Sequence, residues 1–460
     1  MNSEKKLYPL TPAQKLHYYT VQFCPQKQVL NIGTSLTIES DIDFDVLKES
    51  IYEAYDRSEC MRIRFCQTEN GDVMQYVIPK EERDIQFFEF SHWQQEHAEN
   101  EMKNWTSVPF ERFDSPMNKI VMISMPDGFK GIYMVVDHMT MDAQAIVMFF
   151  KDVIQIYCSK KYDTEYPKSL ESYIKALEKD LKYSSSKTAQ RDRDYWKNVI
   201  ESSEPLYSDI MGENKLEQER ISRNSPNLRA ATNGIPECDA EIAQFHLEPN
   251  PSDVLVNFCR DNEIPMASLL LMAMRTYLQK FNNNQSDITI QNTVSRRATL
   301  LEKNSGGTRV HFFPCRTIIN PDETFLEGCR KIRDSQNQTF RHANFDPIEF
   351  RTLRSNYYHN EPGQAYEPMS LTYQPLSMRS TDMPDIRYKS NWYSNGVAAQ
   401  NLYLTVMHRS LDNGLDFCFE YKKAKYNYED LQKVYYYITR ILFEGVNNPN
   451  KTIAEVISNT

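Results

Sequence analysis

The sequence predicts two α/β lobes, each a mixed sheet covered by helices. Three observations carry that reading. The chain has 460 residues, more than one hydrophobic core of about 150–250 residues usually organises. Apolar runs of strand length alternate with amphipathic runs of helix length in both halves. Between Ser184 and about Ala243 the chain turns polar and irregular (SSSKTAQRDRD, MGENKLEQER, SRNSPNLRAATNG), with one aromatic island at Tyr195-Trp196. That stretch reads as the crossing between lobes, partly helix and partly loop. The expected lobes are residues 1–180 and 181–460.

The elements follow in order. Residues 44–55 (FDVLKESIYEAY) put Phe44, Leu47, Ile51, Ala54 and Tyr55 on one helical face. GDVMQYVI reads as a strand after a Gly-Asp turn. KIVMISM (119–125) and GIYMVV (131–136) are two strands joined at Pro126-Asp127-Gly128. The second is apolar almost throughout, as a strand covered on both faces would be. Residues 143–157 (AQAIVMFFKDVIQIY) are apolar around most of the circumference and predict a buried helix. Beyond the crossing, PMASLLLMAMRTYLQKF is a helix entered at Pro265, and DITIQNTV a strand. LYLTVMH and LDFCFEY form a hairpin about Asp412-Asn413-Gly414, and YEDLQKVYYYITRILFEGV closes the chain as an amphipathic helix.

Composition narrows the function classes. Net charge is −10 and the basic residues are scattered, whereas nucleic-acid binding needs a clustered cationic face and an anionic membrane repels an acidic surface. Nine cysteines, none in a CxxC pair, suggest neither a zinc site nor a disulfide framework. The opening residues, MNSEKKLYPLTPAQ, lack an apolar signal core, and no window approaches the ~18 apolar residues of a membrane span. A reducing, cytoplasmic setting is expected, with no nucleic acid and no membrane as partner.

One stretch concentrates chemistry: VVDHMTMDAQA (135–145), where a strand turns into the buried helix. His138 there has three readings. It is a hydrogen-bonded residue at a strand end, a metal ligand, or a neutral imidazole that takes a proton from an incoming amine or hydroxyl. A metal needs further ligands, and no other histidine lies at ligand spacing, so no metal is expected. Other short segments are unspecific alone: RSECMRIRF (57–65), GGTRVHFFPCR (306–316) and NFDPIEF (344–350).

Taken together and in order, these segments resemble the condensation domains of nonribosomal peptide synthetases. LTPAQKLHYY (10–19) is similar to the family's opening motif, and RSECMRIRF to its second, with Arg57, Glu59, Arg62 and Phe65 in place. DHMTMDA stands where the family has two histidines, three variable residues, Asp and Gly. GTRVHFFPCR resembles the family's Gly-x-Phe-Val-Asn-Thr strand ending in Arg316, NFDPIEF its Asp-x-Pro-Phe-Glu segment, and SLTYQPL (370–376) its last motif. The similarity runs from residue 7 to about 446.

The resemblance implies two chloramphenicol-acetyltransferase-like lobes arranged as a V around a central tunnel. A carrier protein, acyl or peptidyl, presents a thioester on its phosphopantetheine arm at one mouth. A small-molecule amine or a second carrier-bound acceptor enters at the other, and no bound cofactor is needed. His138 maps to the catalytic histidine, with Asp137, Asp142 and Arg62 supporting the motif and Arg62 expected to pair with Asp142. His311, Ser370 and Tyr373 are expected along the tunnel. Three positions depart from the pattern: Asp137 for the first histidine, Ala143 for the glycine, and His311 for an asparagine. The two aspartates also match heterocyclising relatives, but those lack the histidine kept here and carry a serine where this chain has Ala145. The expected function is amide formation, or ester formation, from a carrier-bound acyl group. The alternatives are a non-catalytic docking module, an acyl-CoA-dependent transferase and a heterocyclisation domain. The chain stops where the domain does, as a free-standing member or one domain of a larger synthetase would.

Overall fold

Strand Lys130–Asp137 lies at the centre of a five-stranded sheet. Asn31–Ile38 and Asn118–Ser124 pair antiparallel on its two sides, and Gln86–Glu89 and Tyr388–Tyr393 form the edges. In this computed structural model, residues 5–80, 83–212, 214–232, 237–361, 363–375, 387–409 and 411–460 are described. Both faces of the central strand are covered. Ile132, Met134 and Val136 pack into a core with Leu47, Ile51, Phe149 and Val153 of helices Phe44–Arg57 and Ala143–Tyr162. Tyr133 and Val135 face the opposite way, with Ala98 and Met102 of helix Gln95–Thr106. A strand buried on both faces can be apolar at every position, which explains the unbroken GIYMVV run.

The second sheet has six strands in the order His311–Ile318, Asp287–Val294, Ser370–Gln374, Leu402–His408, Leu415–Lys422, Ala240–Leu247. Ser370–Gln374 runs parallel to both neighbours and the other pairs are antiparallel. Among the described residues, helices cover one of its faces. Leu404, Val406, Phe417 and Phe419 pack beneath helices Met266–Phe281, Phe325–Arg341 and Tyr428–Asn447. The alternate residues Thr293, Thr372, Tyr403 and Thr405 are half-buried, and further along the same face Gln374 and Met407 line a cleft with Val147 of the N-terminal half. Period-two alternation in LYLTVMH is the sequence signature of that arrangement.

The polar crossing contains helix Lys187–Ser202, which buries Trp196 against the ring of Phe313 at a 4.5 Å centroid separation. Strand Ala240–Leu247 begins inside the stretch read as crossing. Strand Tyr388–Tyr393, from the C-terminal half, completes the N-terminal sheet by pairing with Asn31–Ile38, so backbone hydrogen bonds tie the lobes together. Ser410 of the expected hairpin loop and Leu376 of the last motif lie outside the described residues. Among the described residues, no helix is long and apolar enough to cross a membrane.

Candidate active site

The site begins where the central strand ends. The main-chain N–H of His138 donates to Leu30 O at 2.8 Å, the last tie to the neighbouring strand. A turn follows, in which Thr140 N–H and Oγ1 both donate to Asp137 O, at 2.9 and 2.8 Å. Asp142 then caps helix Ala143–Tyr162, accepting from Ala145 N–H at 3.1 Å.

His138 and Asp137 diverge as neighbours leaving a strand must. Asp137 is fully buried; it accepts from Met139 N–H at 2.9 Å and pairs with Arg112 at 2.7 Å. His138 is partly buried, with Nδ1 3.5 Å from Thr308 Oγ1. Its Nε2 is hydrogen-bonded to none of the described residues. Burial pulls its pKa below the ordinary 6.5, opposed by the charge of Asp142, a hydrogen bond with its own backbone and the charge of Asp137. The ring is therefore neutral at neutral pH, with a nitrogen free to take a proton.

Asp142 does not pair with Arg62. The Arg62 guanidinium donates to main-chain carbonyls of Tyr55, Asp56, Ser58 and Ile78, closing the turn before strand Ile63–Gln67. Two groups from the far half take its place. Arg297 Nη1 donates to Asp142 Oδ2 at 2.7 Å, and Arg309 N–H donates to the same oxygen at 2.9 Å. Behind them Asp180 accepts from Arg309 at 2.9 Å and from Arg296 at 3.2 Å. All five side chains are almost wholly buried.

The loop carrying Thr308 and Arg309 enters through Gly306 and Gly307, at φ 69° and 78°. A Cβ at Gly306 would stand 2.4 Å from Cys60 Sγ, and one at Gly307 2.5 Å from the Tyr173 ring. Glycine is required both for the left-handed backbone and for this close approach to the N-terminal lobe.

Two of the expected tunnel residues face elsewhere. His311 lies on the helix-covered side with Phe313 and Cys315, because it shares their parity along strand His311–Ile318. Its Nδ1 donates to Ala343 O at 2.9 Å and its Nε2 accepts from Arg296 at 3.0 Å. Burial and the Arg296 charge hold its pKa well below 6.5. Tyr373 lies on that side too, bonded to His408 Nε2 at 2.8 Å. Ser370 has the parity of the open face but is buried, its hydroxyl donating to Gln400. A cleft of about 730 Å³ opens beside Arg297, lined by Gln144, Met148 and Lys151 of one lobe and Ser295, Lys303 and Pro375 of the other.

Sequence reasoning missed His17, whose ring stacks on that of His138 with centroids 4.0 Å apart and planes 23° from parallel. The signal available was a polar residue on the apolar face of helix Pro12–Phe23, where Ala13, Leu16 and Val21 are also buried.

A family model for the condensation domain matches residues 4–459. The chain is 22% identical over 454 residues to a plipastatin synthase of Bacillus subtilis (strain 168), covering 98% of this chain and 17% of that protein. It is likewise 22% identical to surfactin synthase subunit 1 of the same organism, covering 98% of this chain and 12% of that protein. It thus spans less than a fifth of these relatives. Among solved structures, the first condensation domain of the calcium-dependent antibiotic synthetase, in complex with a substrate analogue, superimposes with a TM-score of 0.80 at 18% identity, over 99% of each chain. The starter condensation domain of rhizomide synthetase, in complex with C8-CoA, gives 0.81 at 17% identity, over 98% of this chain and 97% of that one. The X-domain from teicoplanin biosynthesis gives 0.73 at 14%, over 99% and 98%.

Proposed function

The chain belongs to the condensation-domain family, and from that premise we propose that it joins a carrier-bound acyl or aminoacyl thioester to an amine, forming an amide. The observation that carries the reading is the Nε2 of His138, unbonded among the described residues, at the junction of the lobes. In the proposed step the acceptor nitrogen attacks the thioester carbonyl carbon while His138 Nε2 takes its proton. The tetrahedral intermediate collapses, the C–S bond breaks, and the leaving thiolate recovers the proton from the imidazolium. Asp142 has no direct part. Held by Arg297 and Arg309, it fixes the corner from which His138 projects.

In this reading the donor's phosphopantetheine arm enters the cleft beside Arg297, whose lining includes Lys151, Lys168 and Lys303, cations suited to its phosphate. The carrier protein is the proposed partner, and no resident cofactor is required. The test offers purified protein a panel of loaded carriers, with acyl-CoA as a competing donor, and a panel of amines and alcohols, reading product masses. His138→Ala should fold, bind the loaded carrier and lose about 100- to 10,000-fold in single-turnover rate. Wild-type turnover in the variant would make His138 structural. Inactivity of wild type across the panel would favour a docking module.

A further inference from the structure

Helix Pro12–Phe23 is fastened at its start to the corner that carries His138. Thr11 and Gln14 close a capping box, and the Gln14 amide donates to Gln75 Oε1 at 2.8 Å, Tyr173 Oη at 3.1 Å and Met139 O at 3.3 Å. Met139 immediately follows His138, so helix and corner are held in one frame. His17 sits one turn beyond Gln14 on the same face. It is 6% exposed, and its Nε2 is buried with no hydrogen-bond partner among the described residues. A leucine would fill that place without stranding a nitrogen away from water.

We propose that His17 is a positioning residue for His138: its ring lies on the face of the base, sets the plane of the imidazole, and stabilises the imidazolium formed when His138 takes a proton. The inference rests on reading His138 as the base. The polar and charged groups about the His138 ring, and about the carboxylates beside it, come from several elements. Asp137 and Asp142 are on its own segment, held by Arg112 and Arg297. Thr308 comes from the opposing loop and His17 from the first helix. Both carboxylates favour the protonated base. His17 can favour it only through its π face, because burial and the neighbouring His138 hold its own pKa well below 6.5. A neutral ring against a cation is attractive, whereas two adjacent cations would repel.

The experiment compares His17→Leu with His17→Phe. Leucine fills the space without a π face; phenylalanine restores the ring and omits the buried nitrogen. His17→Leu should lower kcat about tenfold or more with KM little changed. It should also move the acid limb of the kcat profile about half a unit to one unit lower, because loss of the stacked ring lowers the pKa of His138. His17→Phe should restore both and raise the melting temperature. NMR titration of the His138 ring in wild type and His17→Leu reads the same shift without turnover, and it decides alone if phenylalanine does not fit. An unchanged His138 titration in His17→Leu overturns the inference, as does His17→Phe as impaired as His17→Leu in a protein that melts normally. A lowered His138 pKa with unaltered turnover would leave the inference standing and sink the general-base reading.

Discussion

Replacing Asp142 by alanine should damage the architecture before the chemistry. One Asp142 oxygen accepts from the helix N-terminus and the other from the Arg297 guanidinium and the Arg309 main chain. Arg297 is 3% exposed in its side chain, so the variant strands a guanidinium almost wholly withdrawn from water. Removing one partner of such a pair costs about 3–5 kcal/mol, and losing an N-cap about 1 kcal/mol more. That is a large part of the roughly 5–15 kcal/mol that keeps a domain folded. The melting temperature should fall by on the order of 10 °C. A double-mutant cycle separates the partners. Asp142→Ala with Arg297→Met should recover much of the loss, because no buried charge is then left alone, whereas Asp142→Ala with Arg62→Ala should be additive. An unchanged melting temperature with activity abolished would show that Asp142 acts in the chemistry. Strong coupling to Arg62 instead of Arg297 would refute the pairing.

Asp137→Ala should lower thermal stability less than Asp142→Ala, because Arg112 is 12% exposed and can reach water. The Asp137 charge raises the pKa of His138, so its removal should move the acid limb of turnover to lower pH; a move to higher pH would contradict the assignment. Stability should also fall with acid. His17 and His311 are held neutral in the fold, whereas the unfolded chain protonates them below about 6.5. Their contribution is thus intact above that pH and declines beneath it by about 1.4 kcal/mol per unit for each. Urea midpoints at pH 7 and pH 5.5 would show the decline, and His311→Asn should make it shallower. Midpoints independent of pH in the wild type would refute the burial argument.

The elements legible in the sequence are those whose environment is uniform along the segment. GIYMVV is covered on both faces and LYLTVMH on one, so each shows its own periodicity. The YKSNWY strand, Tyr388–Tyr393, was not legible, because a half-exposed edge strand need not be apolar and its pairing partner is some 350 residues away in the chain. The partner of Asp142 was hidden for a similar reason. Arg62 and Arg297 are equally arginines in the sequence, and only tertiary structure spends one on carbonyls and the other on the carboxylate. His311 was misplaced by reading a motif without its parity. Alternation along HFFPCR sets it with Phe313 and Cys315, beneath the helices.

The departures from the family motif are tolerable for reasons that meet at this corner. The position before His138 points away from its ring, so an aspartate there can serve Arg112 and the Met139 N–H without crowding the proposed base. Ala143 opens a helix with no positive φ, so nothing in its backbone demands glycine. What cannot vary freely is the angle between lobes, since His138 belongs to one and Thr308 to the loop of the other. An apolar junction would be at least as stable as Asp142 and Asp180 with their three arginines, because buried ion pairs return little net free energy. Apolar surfaces slide, however, while carboxylates that each accept from two donors of the other lobe have one good register. The buried network, the glycines that let its loop approach, and the strand Tyr388–Tyr393 that the C-terminal half lends to the N-terminal sheet all constrain that one angle. It is the variable on which the proposed centre, divided between two lobes, depends.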